Sequence, residues 1–111
     1  MARAERRKAI SLVSSGRVAL SEGNLGGAQQ AYDQVSRSHP DLRELFTLRN
    51  ELQDAYLVAV RQQIDINELD MALRYVDQGA ALTPQNAEWA RLKEEIGLLQ
   101  AGPKKRRLSA Y

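Results

Sequence analysis

Apolar positions recur at helical spacing along most of this chain, and the pattern is interrupted at four places. Ala9, Val13, Gly16 and Leu20 fall at i, i+4, i+7 and i+11, one stripe of a helix predicted over residues 2–21. Ser21-Glu22-Gly23-Asn24 ends it, because Gly23 can take the left-handed conformation that closes a helix and reverses the chain. A second helix is expected from about residue 26 to 38, with Leu25 just ahead of it and Ala28, Tyr32 and Val35 on one face. Pro40 disfavours helical backbone at His39, so a third helix starts after it. This one runs from 41 to 64 without glycine or proline and buries Leu45, Leu48, Leu52, Tyr56 and Ala59. Asp65-Ile66-Asn67 reads as a second reversal, since asparagine tolerates left-handed backbone better than most residues. A fourth helix over 68–82 buries Leu69, Ala72 and Val76 and stops at Thr83-Pro84. A fifth, over 85–100, carries Trp89, Leu92, Ile96 and Leu99, and Gly102-Pro103 then breaks the pattern. The expected fold is all-α with about five helices: one domain over 1–101 and a basic, disordered tail over 102–111.

Part of this pattern is a repeat. Residues 23–40 return in altered form as 67–84: Leu25 matches Leu69, Ala28 matches Ala72, Tyr32 matches Val76 and Pro40 matches Pro84, each pair 44 residues apart. Trp89 and Leu92 follow Leu45 and Leu48 at the same interval. A fixed interval of this size is the mark of a helical repeat. Gly16, Gly23, Ala28, Tyr32 and Pro40 resemble the tetratricopeptide repeat motif, standing at its mid-helix small residue, turn glycine, second-helix alanine, aromatic and closing proline. In the second unit Tyr56, Ala72 and Pro84 match, whereas Val60, Asn67 and Val76 replace the small residue, glycine and aromatic. The family period is about 34 residues, so the extra length is expected inside the third helix. A HEAT-like repeat has a period nearer 44, but it would leave Gly16, Gly23, Ala28, Tyr32 and Pro40 together unexplained.

The resemblance implies antiparallel helix-turn-helix units in a right-handed array that binds a peptide or protein in its concave groove. It places Val13, Arg17 and Leu20, with their counterparts Leu57, Arg61 and Ile64, along that groove. Two arginines among apolar residues suit an acidic-apolar peptide. The competing reading is that the apolar four hold first helices together while the arginines are solvated or paired within the chain. The family's clamp for C-terminal carboxylates uses lysine and asparagine at such positions, which disfavours that ligand here.

Composition narrows the function classes. The 111-residue chain is 43% hydrophobic with one Phe, one Trp and four Tyr, a composition suited to close-packed helices, and it has no cysteine. Disulfides and thiolate chemistry are therefore excluded. The lone His39 leaves no Ser-His-Asp set, and Gly23-Asn24-Leu25-Gly26-Gly27 lacks the strand that a phosphate loop follows. The expectation is a non-catalytic protein with no cofactor and no metal. No stretch approaches the ~18 apolar residues of a membrane span, so the chain reads as soluble and cytoplasmic.

The net charge of +2 is unevenly placed. Arg3, Arg6, Arg7, Lys8 and the run 104–107 hold half of the 16 basic residues, leaving an acidic body between them. The runner-up function is accordingly an adaptor held to membrane or nucleic acid by its basic ends, with Ser109 as a candidate phosphoacceptor. Trp89, Leu92, Ile96 and Leu99 have no following helix to cover them. They are expected either to associate with a second copy or to face the rest of a longer protein.

Overall fold

The computed structural model describes the backbone of residues 3–109 and the side chains of 3–102. It is all-helical, 85% helix without strands among the described residues. The five helices are α1 (Arg3–Ser21), α2 (Leu25–Ser38), α3 (Arg43–Asp65), α4 (Leu69–Leu82) and α5 (Glu88–Ser109). Among the described residues no helix is long and apolar enough to cross a membrane.

The expected domain is organised as two compact units, Met1–Ala55 and Tyr56–Tyr111, with the boundary inside α3. The 44-residue interval extends to the helix limits. It carries Leu25 and Ser38, the ends of α2, onto Leu69 and Leu82, the ends of α4, and Ser21 at the end of α1 onto Asp65 at the end of α3.

Local geometry explains this agreement. Gly23 has φ 77° and Asn67 φ 61°, both left-handed as the sequence requires. In the first reversal Asn24 N donates to Ala19 O at 2.8 Å and Gly23 N to Leu20 O at 3.0 Å. In the second, Glu68 N donates to Gln63 O and Asn67 N to Ile64 O at the same two distances. These pairs satisfy carbonyls that a helix end would otherwise leave bare. At the far ends of α2 and α4, His39 and Thr83 leave the helix with φ −139° and −134° while their N–H groups still bond Val35 O and Gly79 O. Each is followed by the proline that stops the helix.

In the first unit α1 packs on α2. Ala9, Val13, Val35, Leu42, Leu45 and Leu48 form the buried cluster, flanked by Ile10, Leu12, Leu20 and Tyr32. Gly16 makes a close approach to Ala31 and Leu48 possible. A Cβ at Gly16 would stand 3.1 Å from both Ala31 Cβ and Leu48 Cδ2.

In the second unit α4 packs on α5. Tyr56, Ala59, Val60, Ala72, Val76, Trp89, Leu92 and Ile96 are buried there. The Tyr56 and Tyr75 rings meet at a centroid distance of 6.1 Å.

The starts of α3 and α5 fall two and three residues later than expected, at Arg43 and Glu88, and the end of α5 differs more. The break at Gly102-Pro103 is absent from the backbone, since α5 continues to Ser109. An interior proline removes one N–H bond and crowds the carbonyl four residues back, so it can bend a helix without ending it. The side chains of the basic run 104–107 and of Ser109 lie outside the described part, as do residues 110 and 111 altogether.

Candidate partner-binding residues

The residues expected to line a groove fall into two sets, one in each unit. In the first, Val13 is 2% exposed and belongs to the core. Leu20 is half-buried against the same cluster, so neither presents an apolar surface ready for a ligand. Arg17 is exposed, and its guanidinium is occupied: Nε donates to Glu51 Oε1 at 2.6 Å and Nη2 to Glu51 Oε2 at 3.4 Å. In the second set, Leu57 and Ile64 are half-buried. Arg61 Nη1 donates to Glu95 Oε2 at 2.7 Å.

These two ion pairs are one feature used twice. Arg17 and Arg61 stand 44 residues apart, as do Glu51 and Glu95, and within each pair the partners are 34 apart in sequence. The recurrence of arginine thus has an intramolecular cause. Each guanidinium already has a carboxylate partner, and an acidic ligand at either position would compete with it for the same cation. The glutamates were the part missed by sequence reasoning, which singled out the arginines alone. The signal lay in the sequence as two Arg–Glu pairs sharing both intervals.

The expected self-association face is corrected by the structure. Trp89, Leu92 and Ile96 are 3%, 2% and 0% exposed, and only Leu99 of the four is exposed. The reason is a pocket for the indole on α4. Gly79 has no side chain, and a Cβ built there would fall within the Trp89 ring. Trp89 Nε1 donates to Thr83 Oγ1 at 2.9 Å, and Thr83 Oγ1 donates in turn to Gly79 O at 3.3 Å. Indole area and polar edge are both satisfied inside the unit. Gly79 and Thr83 continue the stripe of Leu69, Ala72 and Val76, but they escaped the sequence reading because neither carries an apolar side chain.

A different surface is left open in the first unit, where the start of α1 meets the α2–α3 junction. A cleft of about 360 Å³ is lined by Arg6, Ser38, His39, Pro40, Asp41 and Leu42. An adjoining one of about 440 Å³ shares Ser38 and His39 and adds Glu5, Lys8, Ala9, Leu12 and Gln34. His39 Nδ1 lies 2.9 Å from Ser38 Oγ. Residues 3–8 are all exposed, so four basic side chains of one helix start stand in solvent beside an apolar hollow.

No protein-family model, curated protein or solved structure matches this chain.

Proposed function

We propose that this chain is a non-catalytic protein-interaction module, a tetratricopeptide-like helical repeat serving as a scaffold or adaptor for a peptide or protein partner. The observation that carries the reading is the doubled helical hairpin. Helix limits, left-handed turns, buried Ala28 and Ala72 and closing prolines recur at one interval. The Arg17–Glu51 and Arg61–Glu95 pairs add support, because each joins residues separated by the family's own period of about 34. Such scaffolds place side chains at fixed spacing on rigid helices, the property that peptide recognition uses.

The test is retention of a protein partner by the immobilised chain, with each retained protein identified by mass spectrometry and measured in solution by calorimetry. A stoichiometric complex of micromolar affinity or better is expected. It should survive the Arg17→Ala, Arg61→Ala double substitution, since those side chains are engaged within the chain. A folded chain that binds no protein at that affinity would sink the reading.

A further inference from the structure

We infer that the cleft at the α1–α2–α3 junction of the first unit is the partner site, and that its occupant is an acidic segment of another protein carrying at least one apolar side chain. The inference rests on the interaction-module reading and relocates its site from the groove positions to this cleft.

Chemistry at the rim comes first. Arg6 and Lys8 line the two halves of the cleft, and Arg3 and Arg7 stand on the same two turns of α1. All four side chains are exposed. Unlike Arg17, Arg61 and Arg91, none of the four has an ion-pair partner among the described residues. The lining itself is balanced, Arg6 and Lys8 against Glu5 and Asp41, and the cationic excess comes from Arg3 and Arg7 beside it on α1. Four cations in the first two turns also oppose the helix dipole, and Arg3 repels Arg7 across one turn. This arrangement works against α1, and an anionic ligand would reverse the sign of both effects.

The repeat supplies the second argument, since it shows which exposed charges belong to one unit alone. The counterparts of Arg3, Arg6, Arg7 and Lys8 are Thr47, Asn50, Glu51 and Leu52, none of them basic. His39 is replaced by Thr83, whose hydroxyl is bonded to the Trp89 indole. The basic rim thus belongs to one unit alone.

The floor decides between classes of anion. Ala9 and Leu42 are buried, Leu12 is half-buried and Pro40 is exposed, so the base of the cleft is apolar while its edge is charged. A nucleic-acid backbone or an anionic lipid surface would need only the charge. An acidic peptide uses both, placing carboxylates on Arg6 and Lys8 and an apolar side chain on Leu12 and Pro40.

The experiment measures fluorescence anisotropy of a labelled short peptide of repeated Glu-Asp-Leu against the full chain. Comparators are the same peptide with serine for leucine, a thymidine oligonucleotide and phosphatidylserine vesicles. The Leu-containing peptide is expected to bind most tightly, and Arg6→Ala with Lys8→Ala to weaken it by roughly tenfold or more. Ser38→Trp fills the cleft without altering charge and should also weaken it severalfold. Circular dichroism melts verify that each variant is folded. Unchanged peptide binding in Ser38→Trp, equal binding of the serine peptide, or an oligonucleotide or vesicles bound as tightly as the peptide would each overturn the inference. So would failure of the Leu-containing peptide to bind. If the chain retains a protein partner while any of these results holds, only the cleft assignment is lost and the module reading stands.

Discussion

The two units share a backbone and fill it differently. Where the first has Ala31, Val35 and Leu45, the second has Tyr75, Gly79 and Trp89. At Gly16 the first brings a bare backbone close to Leu48, whereas the second has fully buried Val60 at the matching place. Two of the enlargements in the second unit are met by reductions beside them in sequence or in space: Tyr32 becomes Val76 as Ala31 becomes Tyr75, and Val35 becomes Gly79 as Leu45 becomes Trp89. Cores tolerate such exchanges when total volume is kept. The turns show no comparable freedom, because a left-handed residue and its hydrogen bonds must stand at one place for the chain to reverse. In this molecule the hairpin is specified by its turns, and the packing is solved separately in each unit.

The most severe way to break the comparison is to move half of one packing solution into the other unit. Gly79→Val drives a branched side chain into the indole and should cost about 1–3 kcal/mol or more, while Trp89→Leu empties the space over Gly79 and should cost roughly 2–4 kcal/mol. The double variant reproduces the Val35–Leu45 pair of the first unit. It is expected to recover about 1–2 kcal/mol relative to the sum of the two, measured by urea unfolding. Strict additivity would show that size compensation does not relate the units.

A smaller effect separates the starts of the second helices. Asn24 and Glu68 share nearly the same backbone conformation, but Asn24 Oδ1 accepts from Gly27 N at 2.9 Å, whereas Glu68 makes no side-chain cap bond. Asn24→Ala should therefore lose about 1 kcal/mol, and Glu68→Asn should gain about 0.5–1 kcal/mol. Equal and opposite shifts in thermal midpoint would sharpen the comparison, and no gain from Glu68→Asn would refute the uncapped assignment.

The ion pairs give the smallest difference. Arg17→Ala and Arg61→Ala should each cost about 0.2–1 kcal/mol, because the paired side chains are 54% and 42% exposed in one pair and 55% and 42% in the other. Added salt should shrink both losses together. A large loss at only one of them would mean that the repeated pair is not used alike in the two units.

Much of the fold was legible in the sequence because the signals were local. Gly23 and Asn67 act through their own φ, and Pro40 and Pro84 through the residue before them. The limits of α2 and α4 follow from these positions, to within a residue or so. Pro103 was a weaker signal of the same kind. A proline in the first turn of a helix gives up a donor that had no partner, whereas one in the interior gives up a bonded donor and either kinks or ends the helix, and nothing local states which.

The candidate site was less legible. Helical spacing places Trp89, Leu92 and Ile96 on one stripe, yet spacing alone cannot say whether α4 or solvent faces it. That was decided by Gly79 and Thr83, residues of another helix that matter only once the two are packed. Arg17 and Arg61 were likewise visible as a recurring pair while their partners, 34 residues away, were not sought. Turns, helix limits and the repeat interval were determined by the sequence itself, because backbone conformation depends on neighbours along the chain. Which charges are neutralised, which apolar stripe is covered and where a basic rim meets an apolar hollow were decided by the tertiary structure, because burial and pairing depend on residues brought together from distant positions.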